Sequence, residues 1–260
     1  LLLLLHMSRD ALVIGINTYP GSQGNDLPRS LSAPANDAEH VAQTLEPYGQ
    51  FTTVKRFPEK GPKPYRVSEK AKVTSKALKE AIYQLLNPEG QQTSEMVLLY
   101  FSGHGYQTTQ YGTVENYLVT SDINLDNEHY GISLDWLHKQ LENSPIRKQV
   151  VILDCCNSGA LLNFERIQTE KAGTSRYFIT ACRDIENAYE EEGRSLFTQA
   201  LIEGLDPTVC LQEEITGATL TSFVTQKLKS EIQLPLSYMK GEQIRLTSAD
   251  SGSGGAVGSK

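Results

Sequence analysis

Two short apolar runs each end in a side chain capable of chemistry, and burying both brings those ends to one edge of a sheet. Met96-Val97-Leu98-Leu99-Tyr100-Phe101 leads into Ser102-Gly103-His104-Gly105. Val150-Val151-Ile152-Leu153 leads into Asp154-Cys155-Cys156-Asn157-Ser158-Gly159. Short continuous apolar runs read as buried strands. In α/β sheets, ligand chemistry gathers outside the strands' carboxyl ends. An imidazole and a thiol placed there are what covalent nucleophilic catalysis requires.

Strand-like and helix-like segments alternate along most of the chain. Ala11–Ile16, Thr52–Phe57, Arg176–Cys182 and Gln243–Thr247 read as further strands. Apolar residues recur at helical spacing over Asn36–Leu45, Thr74–Leu86, the stretch capped by Ser133, Ser195–Leu205 and Leu220–Ile232. Tyr111-Gly112 marks a hairpin inside Gly105–Thr120, and Asn163–Ser175 is a polar loop. Such alternation predicts one α/β domain, with a mostly parallel sheet covered on both faces. That domain spans 8–248. Residues 1–7, a leucine run closing in His6-Met7, read as a cloning remnant too short to cross a bilayer. Residues 249–260 have the composition of a flexible Gly/Ser tail or linker.

A net charge of -7 argues against a nucleic-acid binder, and no segment is long enough to be a membrane span. The four cysteines lack a disulfide-framework spacing and read as reduced thiols of a cytoplasmic protein.

His104 is flanked by Gly103 and Gly105, which leave room for a substrate backbone to approach. Cys156 opens the loop beyond its strand, whereas Cys155 is the strand's last inward residue. Cys182 and Cys210 read as small buried hydrophobes. The amides of Gly105 and Cys156 are candidates for an oxyanion hole. His104 is placed to hold the Cys156 thiol as thiolate or to accept its proton. Together these features make a cysteine peptidase the leading hypothesis. One histidine and two adjacent cysteines lack the paired spacing of a zinc site, so no metal ligands are assigned.

Phe101–Gly105 together with Leu153–Gly159 resembles the catalytic pair of the caspase-like peptidases, and most closely the metacaspases and their bacterial counterparts, the orthocaspases. His104 and Cys156 lie 52 residues apart, near the caspase separation of about 50. Ala11–Tyr19, Ala35–Ala38, Tyr117–Val119 and Ser195–Leu201 extend the match in order, from Ala11 to about Thr247. The resemblance implies a three-layer α/β fold on a six-stranded, mostly parallel sheet with helices on both faces. It also implies a dyad in which His104 is the acid/base and Cys156, not Cys155, is the nucleophile. The chain departs from the metacaspase pattern at Asn157, where histidine is usual.

Asp154 precedes Cys156 by two residues and so shares its side of an extended chain. Aspartate-cleaving caspases carry glutamine at that position. A carboxylate there, joined by Asp37 and the Ser102 hydroxyl, suits guanidinium or ammonium. The matching metacaspase positions form the pocket for Arg or Lys before the scissile bond. Plainer roles are a helix cap for Asp37 and a backbone hydrogen bond for Asp154. Arg166 and Lys171 fall where caspase-like enzymes are often self-cleaved. Calcium activates many metacaspases, but Asp122, Asp135, Glu165 and the acidic loop around Glu186 and Glu190–Glu192 lack EF-hand spacing. No cofactor is assigned, and calcium stays compatible.

The expected protein is therefore a cysteine endopeptidase acting on protein or peptide substrates after Arg or Lys, with a regulatory protein partner also compatible. Its rival from another class is a catalytically silent caspase-like interaction module in a bacterial signalling or defence complex. Retention of Cys156, His104 and the acidic positions disfavours that rival. A nucleotide-binding domain is disfavoured by the lack of a G-x-G-x-x-G or Walker lysine motif.

Overall fold

Along each central strand the buried residues split into two alternating sets, and each set meets its own layer of helices. The computed structural model describes residues 8–19, 28–88, 94–156, 158–162, 173–181, 190–191, 194–229 and 234–249. In chain order the main elements are β1 (Ser8–Gly15), α1 (Pro34–Tyr48), β2 (Thr53–Phe57), α2 (Ser75–Leu86), β3 (Ser94–Ser102), β4 (Gly105–Gln110), β5 (Thr113–Leu118), α3 (Leu134–Asn143), β6 (Lys148–Asp154), β7 (Ser175–Thr180), α4 (Leu196–Leu205), α5 (Gly217–Lys227), β8 (Leu236–Lys240) and β9 (Arg245–Ser248). The central sheet has six strands in the order β8-β7-β6-β3-β1-β2. Only β8 runs antiparallel to its neighbour. Val13, Tyr100, Ile152 and Ile179 face α1, α4 and α5. Ile14, Phe101, Leu153 and Phe178 face α2 and α3. The expected three-layer architecture is the observed one.

One strand expectation needs correction. The segment predicted over Gln243–Thr247 forms β9, which pairs with Glu214–Thr216 and not with the central sheet. The sixth central strand is β8, where Leu236 and Met239 are about half exposed. A half-exposed edge strand carries no buried-strand pattern to read. The helix predicted to Ile232 closes at Lys227, and residues 230–232 lie outside the described set.

The end of β1 shows how close packing sets up the carboxyl edge. A Cβ on Gly15 would sit 2.3 Å from the Pro34 carbonyl oxygen, so glycine there lets the first turn of α1 press on the strand. Asn17 then accepts from the Ala35 N–H at 2.7 Å, meeting one of the helix's orphan donors. This contact brings Asp37, one turn into α1, to the sheet edge.

On the other side of α1, Glu39 and Arg56 form a buried ion pair at 3.2 Å. Glu39 also accepts from the Val67 N–H at 3.0 Å, and Arg56 reaches Glu46 at 2.7 Å. Removing Glu39 leaves the buried Arg56 with the half-exposed Glu46 as its ion-pair partner and strips the Val67 N–H of its acceptor. Glu39→Ala should therefore lower the unfolding free energy by about 3 kcal/mol in a urea titration.

Asp122 ties the start of α2 to the loop after β5. Its oxygens accept from the Ser75 N–H at 3.0 and 3.1 Å and from the Thr120 hydroxyl at 2.5 Å, with His129 Nε2 at 3.3 Å. Burial pushes this carboxyl upward, but the hydrogen bonds from Thr120, Ser75 and His129 outweigh it and hold it below its usual 3.8. A depressed folded pKa stabilises the fold above the unfolded value, and that stability is lost as pH falls through the folded value. The stability gap between wild type and Asp122→Asn should be full near neutrality and close only below about pH 4 in acid titrations of unfolding.

Candidate active site

β3 and β6 end level. Ser102 and Asp154 are Cα partners across the two strands, and the Gly103 N–H extends the ladder to the Asp154 carbonyl at 3.4 Å. Beyond that point the two chain segments touch. A Cβ on Gly105 would lie 1.8 Å from the Cys156 carbonyl oxygen and 3.2 Å from its nitrogen. Only a glycine allows this approach, and it sets the two candidate oxyanion amides, Gly105 and Cys156, on abutting backbones. Cys155 is buried in the core on the α2 and α3 side, while Cys156 is half-buried. The Ser158 hydroxyl lies 2.8 Å from the Cys155 carbonyl and 3.0 Å from that of Ala181, pinning the turn. Asn157 lies outside the described residues.

His104 is gripped at two points by the chain that leaves β1. Its N–H donates to the Tyr19 hydroxyl at 2.9 Å, and the two rings meet edge-on with centroids 4.7 Å apart. Its Nε2 lies 2.8 Å from the Arg29 carbonyl oxygen. A carbonyl can only accept, so Nε2 carries a proton and, in the neutral ring, Nδ1 is the accepting nitrogen. Tyr19 is 3% exposed. Burial pushes its hydroxyl well above the usual tyrosine range, so it stays neutral. Tyr19 and the Arg29 carbonyl were missed as site groups in the sequence. Tyr19 sits in a matched motif that says nothing of its contact, and a main-chain carbonyl leaves no residue signature.

Asp37, Ser102 and Asp154 do come together. All three are at most 3% exposed, and they lie on the α1 and α4 side of the sheet. Tyr100 lies among them. Burial raises its hydroxyl far above the ordinary value, and the charges of Asp37 and Asp154 add to the effect. Asp37 does not cap its own helix; its oxygens lie 3.3 and 3.4 Å from the Ser195 N–H, just before α4. Asp154 accepts from the Thr198 hydroxyl of α4 at 2.7 Å. Tyr100, Ser195 and Thr198 were also missed. A hydroxyl inside the Met96–Phe101 apolar run was the one available signal for Tyr100.

Arg166 and Lys171 lie outside the described residues. Among the described residues, no group of three or more His, Cys, Asp or Glu side chains could hold a metal ion. Asp122 is committed to Ser75, Thr120 and His129, and Asp135 sits in the first turn of α3. No described helix is long and apolar enough to cross a membrane.

The family model of the caspase domain matches residues 8–249. The chain belongs to the caspase family. Among solved structures it is similar to protein GSU0716 from Geobacter sulfurreducens, at 17% identity and a TM-score of 0.63, covering 90% of this chain and 94% of that one. It is also similar to drICE, at 14% identity and a TM-score of 0.51, covering 90% and 87%. These likenesses concern the fold. No curated protein matches the chain.

The grip on His104 gives a test of whether the imidazole acts on the Cys156 thiol. Tyr19→Phe keeps the ring and strands the His104 N–H. It should slow iodoacetamide alkylation of Cys156 at neutral pH by roughly tenfold, part of the way to the rate of His104→Ala.

Proposed function

We propose that the protein is a cysteine endopeptidase of the metacaspase and orthocaspase type, acting in the cytoplasm on peptide bonds that follow Arg or, less often, Lys. The observation that carries this reading is the contact of Gly105 with the Cys156 backbone. There the residue after the imidazole abuts the thiol's own main chain, and Asp37, Ser102 and Asp154 form a buried acidic cluster at the same sheet edge.

In the proposed reaction, His104 Nδ1 takes the Cys156 proton as sulfur attacks the scissile carbonyl carbon. The Gly105 and Cys156 amides donate to the developing oxyanion. His104 returns the proton to the departing amine, leaving an acyl-enzyme. Water then attacks with His104 again as base, and the carboxylic acid and free thiol are released. The Arg29 carbonyl keeps the imidazole in the required tautomer throughout. Asp37, Ser102 and Asp154 receive the substrate's guanidinium or ammonium. Self-processing after Arg166 or Lys171 is part of the same reading, and so is control by a protein partner.

Paired fluorogenic peptides ending in Arg and in Asp test it, with Cys156→Ala alongside. Wild type should release the fluorophore after Arg and not after Asp, and Cys156→Ala should fall to background. Release from neither peptide by wild type would reject the peptidase in favour of a silent interaction module. Release after Asp alone would reject the basic pocket.

A further inference from the structure

The buried acidic cluster contains a chain of hydroxyls whose polarity can be worked out. Thr198 Oγ1 lies 2.7 Å from Asp154 Oδ2 and 2.7 Å from the Tyr100 hydroxyl. Thr198 donates to Asp154 Oδ2, and threonine has one hydroxyl proton, so none is left for Tyr100. Tyr100 must then donate to Thr198. Burial beside Asp37 and Asp154 keeps Tyr100 protonated, as a donor has to be. Tyr100 and Thr198 are fully buried and Asp154 is 1% exposed, so water does not compete for these bonds.

A carboxylate held this way has a fixed plane. Guanidinium pairs with carboxylate through a rigid, planar fork, and its affinity depends on that plane. Ammonium is a compact charge with rotatable donors and is nearly indifferent to it. We infer that Thr198, oriented by Tyr100, is a specificity-determining residue that sets Arg above Lys by fixing the Asp154 carboxylate. The inference rests on the proposed basic-residue pocket and adds a way for that pocket to tell two cations apart.

The test is kcat/KM on matched Arg and Lys peptides for wild type, Thr198→Val and Thr198→Ser. Thr198→Val keeps the shape and removes the donor. The Arg-to-Lys ratio should fall by about tenfold, the scale of one hydrogen bond to a charged group. Thr198→Ser should restore the wild-type ratio. A loss confined to folding or chemistry would lower both substrates together. Should thermal unfolding show that Thr198→Val does not fold, Tyr100→Phe decides, because it keeps volume and Thr198 but removes the orienting donor. Its ratio should fall in the same direction. An unchanged ratio in a folded variant, with wild type active on Arg, overturns the role of Thr198 alone. Wild type that cleaves neither peptide overturns the pocket reading and this inference with it.

Discussion

The carboxyl edge of the molecule depends on the pairing of β3 with β6. Side chains alternate across a strand, so a slip of one residue would turn each inward set outward. With Ser102 opposite Asp154, both face the layer of α1 and α4, and Cys155 faces the opposite core. That register also delivers His104 and Cys156 from neighbouring strands at the same height. The tight approach of Gly105 to Cys156 depends on it too, since no side chain would fit between segments so placed.

On that frame the candidate site divides into two halves with different physics. The histidine half joins a buried tyrosine, a half-buried imidazole and a main-chain carbonyl of an exposed residue. Tyr19 and the Arg29 carbonyl restrain an imidazole from its backbone and from its ring. The acidic half concentrates carboxylates in the interior, where unpaired charge is costly. The Ser195 N–H and the Thr198 hydroxyl are donors that offset part of this cost, and Tyr100 supports the second of them. A buried arrangement of this kind specifies geometry more strictly than a surface cluster would, because no solvent screens a misplaced group.

Much of this could be read from the chain before folding. The Met96 and Val150 runs announce themselves by apolar content, and His104 and Cys156 stand at their ends. Asp37, Ser102 and Asp154 were legible because each sits in a motif or at a strand end. What escaped reading shares a physical cause: its meaning depends on partners distant in sequence. Thr198 is one more polar residue on an amphipathic helix until Asp154, 44 residues earlier, comes within 2.7 Å. The strand β8 escaped because it lies at the sheet's margin with half-exposed apolar residues, and β9 because its partner is the short Glu214–Thr216 segment.

Besides Tyr19, a carbonyl of the main chain holds the imidazole. Every residue type supplies that atom, so substitution at position 29 does not by itself delete it. On the proposed reading, activity among related chains is lost with histidine and cysteine intact when the path of the connection after β1 changes. Classifying such relatives as active or silent from the histidine and cysteine alone would misassign them. The length and course of that connection belong in the comparison.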